Sequence, residues 1–319
     1  MKYGHITTYS LLLLALLAFV ACTQQEQEWV EPSDEATVTF SLTSEQAFGT
    51  RAYTEQDASQ AYRLVCAVYD VKGNLLKELG KDGNGQIVME TNFSDGVSLP
   101  LRLVRGQEYK VVFWASSINC DAYDTSDLSH IKIDYEAMQC NDRKYDAFYK
   151  TETFTVSSDE TKPVVLRRPF AQINVGISQS DYETLADKEI TSSITLGPVA
   201  NILNAVTNSV SADDIIEEVT FLPTSIPDDY FSVQMINDEG ETTKETYKYL
   251  AMCYLLVADQ NDGTSTYSSE LSSLTVTLNY DGEDKEFTSE NVPVGRNWST
   301  NIFLTRELLE KEITEENNQ

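Results

Sequence analysis

Ala36-Thr37-Val38-Thr39-Phe40-Ser41-Leu42 alternates apolar and polar side chains without a break. A period of two places Ala36, Val38, Phe40 and Leu42 on one face of an extended chain and the hydroxyls on the other, the pattern of a half-buried β-strand. The same reading recurs downstream. Tyr62 to Val71 is a longer strand closed by the turn Lys72-Gly73-Asn74, and Gln86 to Met89, Val97 to Val104 and Tyr109 to Ala115 follow it. Phe148 to Val156, Pro163 to Arg167 and Ala171 to Ile177 continue the series. A second set comprises Ile190 to Leu196, Val219 to Phe221, Tyr247 to Val257, Leu274 to Tyr280 and Trp298 to Leu304. Short helical turns are expected between Ser178 and Lys188 and near Ala212 to Glu218.

Short strands separated by turn residues predict an all-β chain of sandwich type rather than a βαβ fold. The two sets suit two tandem domains, residues 52–168 and 169–319, each large enough for its own core. Pro169 lacks a backbone donor and so suits the crossing between them. Trp114, inside the apolar run Val112-Phe113-Trp114-Ala115, reads as a core anchor rather than an exposed sugar platform.

Upstream of the first strand, residues 1–21 have the parts of an export signal: Lys2 as a small basic region, an apolar run from Leu11 to Val20, and the small residue Ala21 before Cys22. The run is shorter than the roughly 20 residues a membrane-crossing helix takes, so a cleaved lipoprotein signal with lipid on Cys22 is the expectation. Phe19 departs from the leucine usual three residues before such a cysteine. An ordinary secretory cut near Ala21, with Cys22 a bystander, is the alternative. Residues 22–51 then form a tether that includes the Ala36–Leu42 strand.

Charge and rare residues exclude much. The 319 residues carry 23 Lys and Arg against 51 Asp and Glu, a net charge of −28, which repels phosphate backbones and argues against nucleic acid. Only His5 and His130 are present, with no GxSxG elbow, P-loop or GxGxxG, and no Cys/His spacing suited to zinc. No catalytic residue, metal or cofactor is assigned. Cys66 and Cys253 sit in apolar strands and read as packed thiols, whereas Cys120 and Cys140 flank a polar stretch and are left either paired or free.

Several segments, taken in order, resemble a known family. Val164-Val165-Leu166-Arg167-Arg168-Pro169-Phe170-Ala171-Gln172-Ile173-Asn174-Val175-Gly176 is similar to the central signature of fimbrillin-like lipoproteins of the Bacteroidales, in a branch known mainly as an uncharacterised domain family. Asn291 to Ile302, including Gly295-Arg296-Asn297-Trp298, resembles that family's late motif, and Asp146 to Tyr149 and Tyr249 to Leu256 also fit. The resemblance implies two transthyretin-like Greek-key sandwiches, export as an outer-membrane lipoprotein, and a place at the cell surface or in a fimbrium.

In stalk subunits of that family an arginine-specific protease removes an N-terminal strand, and a strand of the next subunit fills the groove. Physically this is β-strand addition, in which ladder groups give affinity and alternating side chains give specificity. Here Ala36, Val38, Phe40 and Leu42 mark the candidate removable strand, and Arg51-Ala52 the candidate processing site. Arg51 is the only basic residue between Cys22 and Tyr62. The end of the chain fits less well, because Arg306 to Glu316 spaces Leu308, Leu309, Glu312 and Ile313 as a helix rather than a donor strand. The expectation is a non-enzymatic fimbrial structural or accessory subunit that contributes to adhesion, with other fimbrial subunits as partners. The alternative is a monomeric surface lipoprotein that binds a glycan or a host protein.

Overall fold

The computed structural model describes residues 34–45, 52–53, 61–80, 83–93, 96–185, 189–211, 214–236, 241–258 and 269–310. The chain is all β, built largely from two pairs of stacked sheets. In the first pair, β1 (Glu35–Ser44) is the middle strand of three, antiparallel to β5 (Val97–Val104) and parallel to β10 (Glu160–Leu166). Facing it is a sheet in the order β4 (Gln86–Thr91), β3 (Tyr62–Asp70), β6 (Glu108–Ser117) and β9 (Ala147–Thr155). Val38, Phe40, Leu42, Leu64, Cys66, Leu99, Leu101, Val111, Phe113 and Leu166 fill the space between them.

The sequence explains which strands lie where. β5 alternates strictly, with Val97, Leu99, Leu101 and Leu103 buried and Ser98, Pro100, Arg102 and Val104 exposed, because only one of its faces meets a core. Both outer strands of this sheet carry a proline, Pro100 in β5 and Pro163 in β10, and a residue with no N–H to donate fits an edge. β3 and β6 are apolar on both faces because both are covered. Leu64, Cys66, Val111 and Phe113 join the first core, while Val65, Ala67, Val112 and Trp114 join the larger second one.

The second pair begins after a crossing of three residues, Arg167 to Pro169. Its larger sheet runs β2 (Ala52–Tyr53), β18 (Tyr230–Ile236), β19 (Thr242–Leu256), β11 (Phe170–Ser178) and β22 (Ser299–Leu304). Its smaller sheet runs β17 (Val219–Ser225), β12 (Ile190–Leu196), β20 (Ser269–Tyr280) and β21 (Glu283–Val294). Ile173, Val175, Ile194, Leu196, Cys253, Leu274, Val276 and Leu278 belong to their shared core. Among the described residues two small sheets complete the fold, one of β15 (Ser209–Val210), β14 (Ile202–Asn204), β8 (Ile131–Ile133) and β7 (Tyr123–Asp124), the other of β13 (Val199–Ala200) and β16 (Ile215–Ile216).

The segment between β6 and β9 does more than connect two strands. Leu128, Ile131, Ile133, Tyr135, Met138 and Tyr145 from this segment all enter the second core. Asn141 accepts from the Met252 amide through its side chain at 2.9 Å and donates its own amide to the Met252 carbonyl at 2.9 Å. It thereby satisfies backbone groups of β19 beyond the reach of β18, whose ladder spans only Thr242–Lys248.

The short helix α1 (Gln179–Tyr182) falls where a helical turn is expected, capped by Ser178. The turn expected near Ala212 to Glu218 is instead β16, in keeping with the β-branched pair Ile215-Ile216. After β22, α2 (Arg306–Glu310) follows the helical spacing of Leu308 and Leu309, and Leu309 is buried.

Candidate functional site

β1 lies in a bed made entirely by later parts of the chain. From Val38 to Ser44 it pairs with Glu160 to Leu166 of β10, and from Glu35 to Leu42 with Val104 to Val97 of β5. Ala36, Val38, Phe40 and Leu42 are the inward residues, as the alternation requires, and the last three are fully buried. Phe40 stands edge-on to Phe113 at 5.2 Å and to Phe154 at 5.5 Å between ring centroids. At about 1.5–3 kcal/mol for each large apolar side chain, Val38, Phe40 and Leu42 together contribute roughly 5–9 kcal/mol by burial. An empty bed is therefore unstable, and any loss of β1 calls for a replacement strand of the same pattern.

Polar groups hold both ends. At the start, the Asp159 carboxylate accepts from the Thr37 amide at 3.1 Å, Arg102 meets Glu35 at 2.9 Å, and the Arg105 amide donates to the Asp34 carbonyl at 2.6 Å. At the far end the Glu45 amide donates to the Leu166 carbonyl at 2.8 Å. Arg168 donates from Nη1 to the Glu45 carbonyl at 2.9 Å, and Arg167 brings Nε to 2.8 Å from Glu45 Oε2. Arg168 is fixed from behind by Asp146, with Nε to Oδ1 at 2.7 Å and Nη2 to Oδ2 at 2.8 Å, and its guanidinium lies 4.5 Å from the centroid of the Phe148 ring. Burial pushes the Asp146 carboxyl above its ordinary value, and the Arg168 charge pulls against that shift.

The arginines after β10 thus each find a carboxylate partner, Arg168 in Asp146 and Arg167 in Glu45. What sequence reasoning missed is Asp146 and Glu45 as those partners, and the backbone carbonyl that Arg168 holds. Arg296, in the turn before β22, reaches across to other elements: it donates to the Val257 carbonyl at 3.1 and 2.9 Å, to Asn208 at 2.6 Å and to the Tyr149 hydroxyl of β9. The turn itself is ordered by Asn297, at positive φ (59°), whose amide donates to the Phe170 carbonyl.

Ala21, Cys22 and Arg51 lie outside the described residues. Ala52 opens β2, where it pairs with Val233, so the chain immediately after Arg51 joins the second pair of sheets rather than the first. Cys66, Cys120, Cys140 and Cys253 are all free thiols, which settles Cys120 and Cys140 as unpaired. Among the described residues no cluster of three metal-binding side chains occurs, and no helix is long and apolar enough to cross a membrane.

Residues 30–315 match the model of a family of unknown function, DUF6562. The chain belongs to this family. No curated protein matches the sequence. Among solved structures, an adhesin candidate of Bacteroides thetaiotaomicron shares 15% identity at a TM-score of 0.50, over 88% of this chain and 94% of the other, and supports the β-sandwich architecture. A cell-adhesion candidate of Bacteroides uniformis is more distant (13% identity, TM-score 0.45, 85% and 93% covered). So is the fimbrial anchor protein Mfa2 of Porphyromonas gingivalis (12% identity, TM-score 0.38, 80% and 82% covered).

Proposed function

We propose that this member of DUF6562 is a fimbrillin-like structural or accessory subunit of surface fimbriae that contributes to adhesion, exported as an outer-membrane lipoprotein through Cys22. Its units are taken as residues 52–168 and 169–319 after the tether at 22–51, with three exchanges across those bounds: β1 of the tether completes the first sandwich, β2 joins the larger sheet of the second, and the segment between β6 and β9 packs into the second core. The observation that carries the reading is the position of β1: first among the described strands, yet the middle strand of its sheet, with both neighbours contributed from later in the chain. Cleavage after Arg51 severs β1 from the body without cutting any other strand of that sandwich. The bed left behind presents two strand edges and apolar slots, the features that strand addition from a second subunit requires.

A second reading keeps β1 in place, with the protein a monomeric surface lipoprotein that binds a glycan or host protein. The grip of Arg167 and Arg168 on Glu45 favours it. Mass analysis of protein taken from the cell surface separates the two. A chain beginning at Ala52 and migrating as ladders in unheated gels supports assembly; an intact lipidated Cys22 with a single monomer band overturns it.

A further inference from the structure

We infer that the bed of β1 reads one charged position of its occupant: it takes a strand with apolar side chains at the places of Val38, Phe40 and Leu42 and a carboxylate at the place of Glu45, and Arg167 is the residue that reads it. The inference rests on the strand-exchange reading above and names the partner's chemistry. Most of the bed discriminates little. Ladder bonds to β5 and β10 see only backbone, the apolar slots accept many alternating strands, and Arg168 holds a carbonyl that every residue possesses.

Position 45 differs. Glu45 Oε2 is shielded from water and meets no well-aligned donor, yet it lies 2.8 Å from Arg167 Nε. A carboxylate oxygen out of water needs a nearby cation. Arg168 does not serve as that cation, because Asp146 already matches its charge. A neutral residue at this place leaves Arg167 without its anion, and a basic one sets two positive charges side by side. The protein as a whole repels acidic peptides, with a net charge of −28, so a local cation at the end of the bed is what admits an acidic strand there. Arg102, diagonal to Glu35 across the ladder and ion-paired with it, repeats the arrangement at the other end in a more exposed setting.

The test uses the mature chain from Cys22, cut after Arg51 with an arginine-specific protease, and labelled synthetic peptides of residues 34–45 amidated at the C-terminus, so that the side chain at position 45 is the only anion placed there. Exchange into the bed is read by fluorescence anisotropy. For a partly exposed pair the E45Q peptide is expected to enter about 3–5-fold more weakly than the native one and E45K about 10-fold or more, with the differences shrinking at high salt. The Arg167 side chain is 65% exposed, so R167E is expected to keep the fold, as checked by circular dichroism, and to reverse the order of the peptides. Equal entry of all three peptides into both proteins overturns the charged address while leaving strand exchange intact. If the chain is not cut after Arg51, or is cut and no peptide enters, strand exchange fails and the address with it.

Discussion

Arg168 and Asp146 form an ion pair that water does not reach, their side chains 1% and 6% exposed, with the guanidinium forked onto both carboxylate oxygens at 2.7–3.0 Å. The pair joins the crossing after β10 to the start of β9, and through Arg168 Nη1 it also holds the carbonyl of Glu45 at the end of β1. Removing one partner strands a charge in the interior. D146A and R168A are each expected to cost about 3–5 kcal/mol in urea unfolding, and the double change D146L/R168M less than either. Single variants within about 1 kcal/mol of the wild type would show that the pair does not hold these elements together.

Phe40 is the largest side chain that β1 inserts between the sheets, set against Phe113 and Phe154. F40A is expected to lose about 3–5 kcal/mol, and T39A, on the opposite face of the strand, much less. Hydrogen exchange of β1 amides reads the same contrast locally. Equal protection in both variants would mean that the apolar face does not seat the strand.

Gly176 stands at a register shift in the pairing of β11 with β19. A Cβ there would meet the Phe231 ring at 2.6 Å and the Lys248 carbonyl at 3.1 Å. G176V is therefore expected to destabilise by about 1–3 kcal/mol through overpacking, and adding F231L to recover part of it, as read by thermal unfolding. A G176V protein as stable as the wild type would contradict this packing.

Buried tyrosines set the alkaline limit. Burial pushes Tyr69 up to about 12 from 10.0, with Asp127 and Cys66 adding to the shift, and burial with the Glu245 hydrogen bond does the same for Tyr247. Each phenol ionises more readily unfolded than folded, so the stability these groups support is complete below pH 10 and is lost as pH rises towards about 12. Tyr135 and Tyr249 shift upward as well, chiefly by burial. Tyrosinate absorbance should lag behind free tyrosine and rise together with loss of circular dichroism. Full titration near pH 10 with the sheets intact would rule this out.

Regular alternation made much of the fold legible. β5 and β12 coincide with Val97–Val104 and Ile190–Leu196 because each has one wet face and one buried face, so that period two is written in side-chain polarity. β21 escaped detection. Glu283–Val294 turns Lys285, Val292 and Val294 inward, and a buried lysine among acidic neighbours hides the apolar face. β2 is two residues long and gains its identity only from β18. For the candidate site, the strand and its inward residues could be read locally, but the Arg168–Asp146 pair spans 22 positions and Arg168–Glu45 spans 123. Contacts of that kind depend on how sheets stack, which no local pattern encodes.

Locking β1 to its neighbour tests the central claim most directly. Ser41 of β1 lies opposite Ser98 of β5, and both side chains face outward, so S41C/S98C places two thiols across the ladder at a spacing suited to a disulfide. The measurement is assembly into ladders of protein recovered from the cell surface, with the disulfide intact and after reduction. If β1 leaves its bed for a strand of another subunit, the oxidised variant is exported but stays monomeric, and reduction restores ladders to the wild-type level. Ladders formed equally well with the disulfide intact, or a wild type that never assembles, would contradict the account.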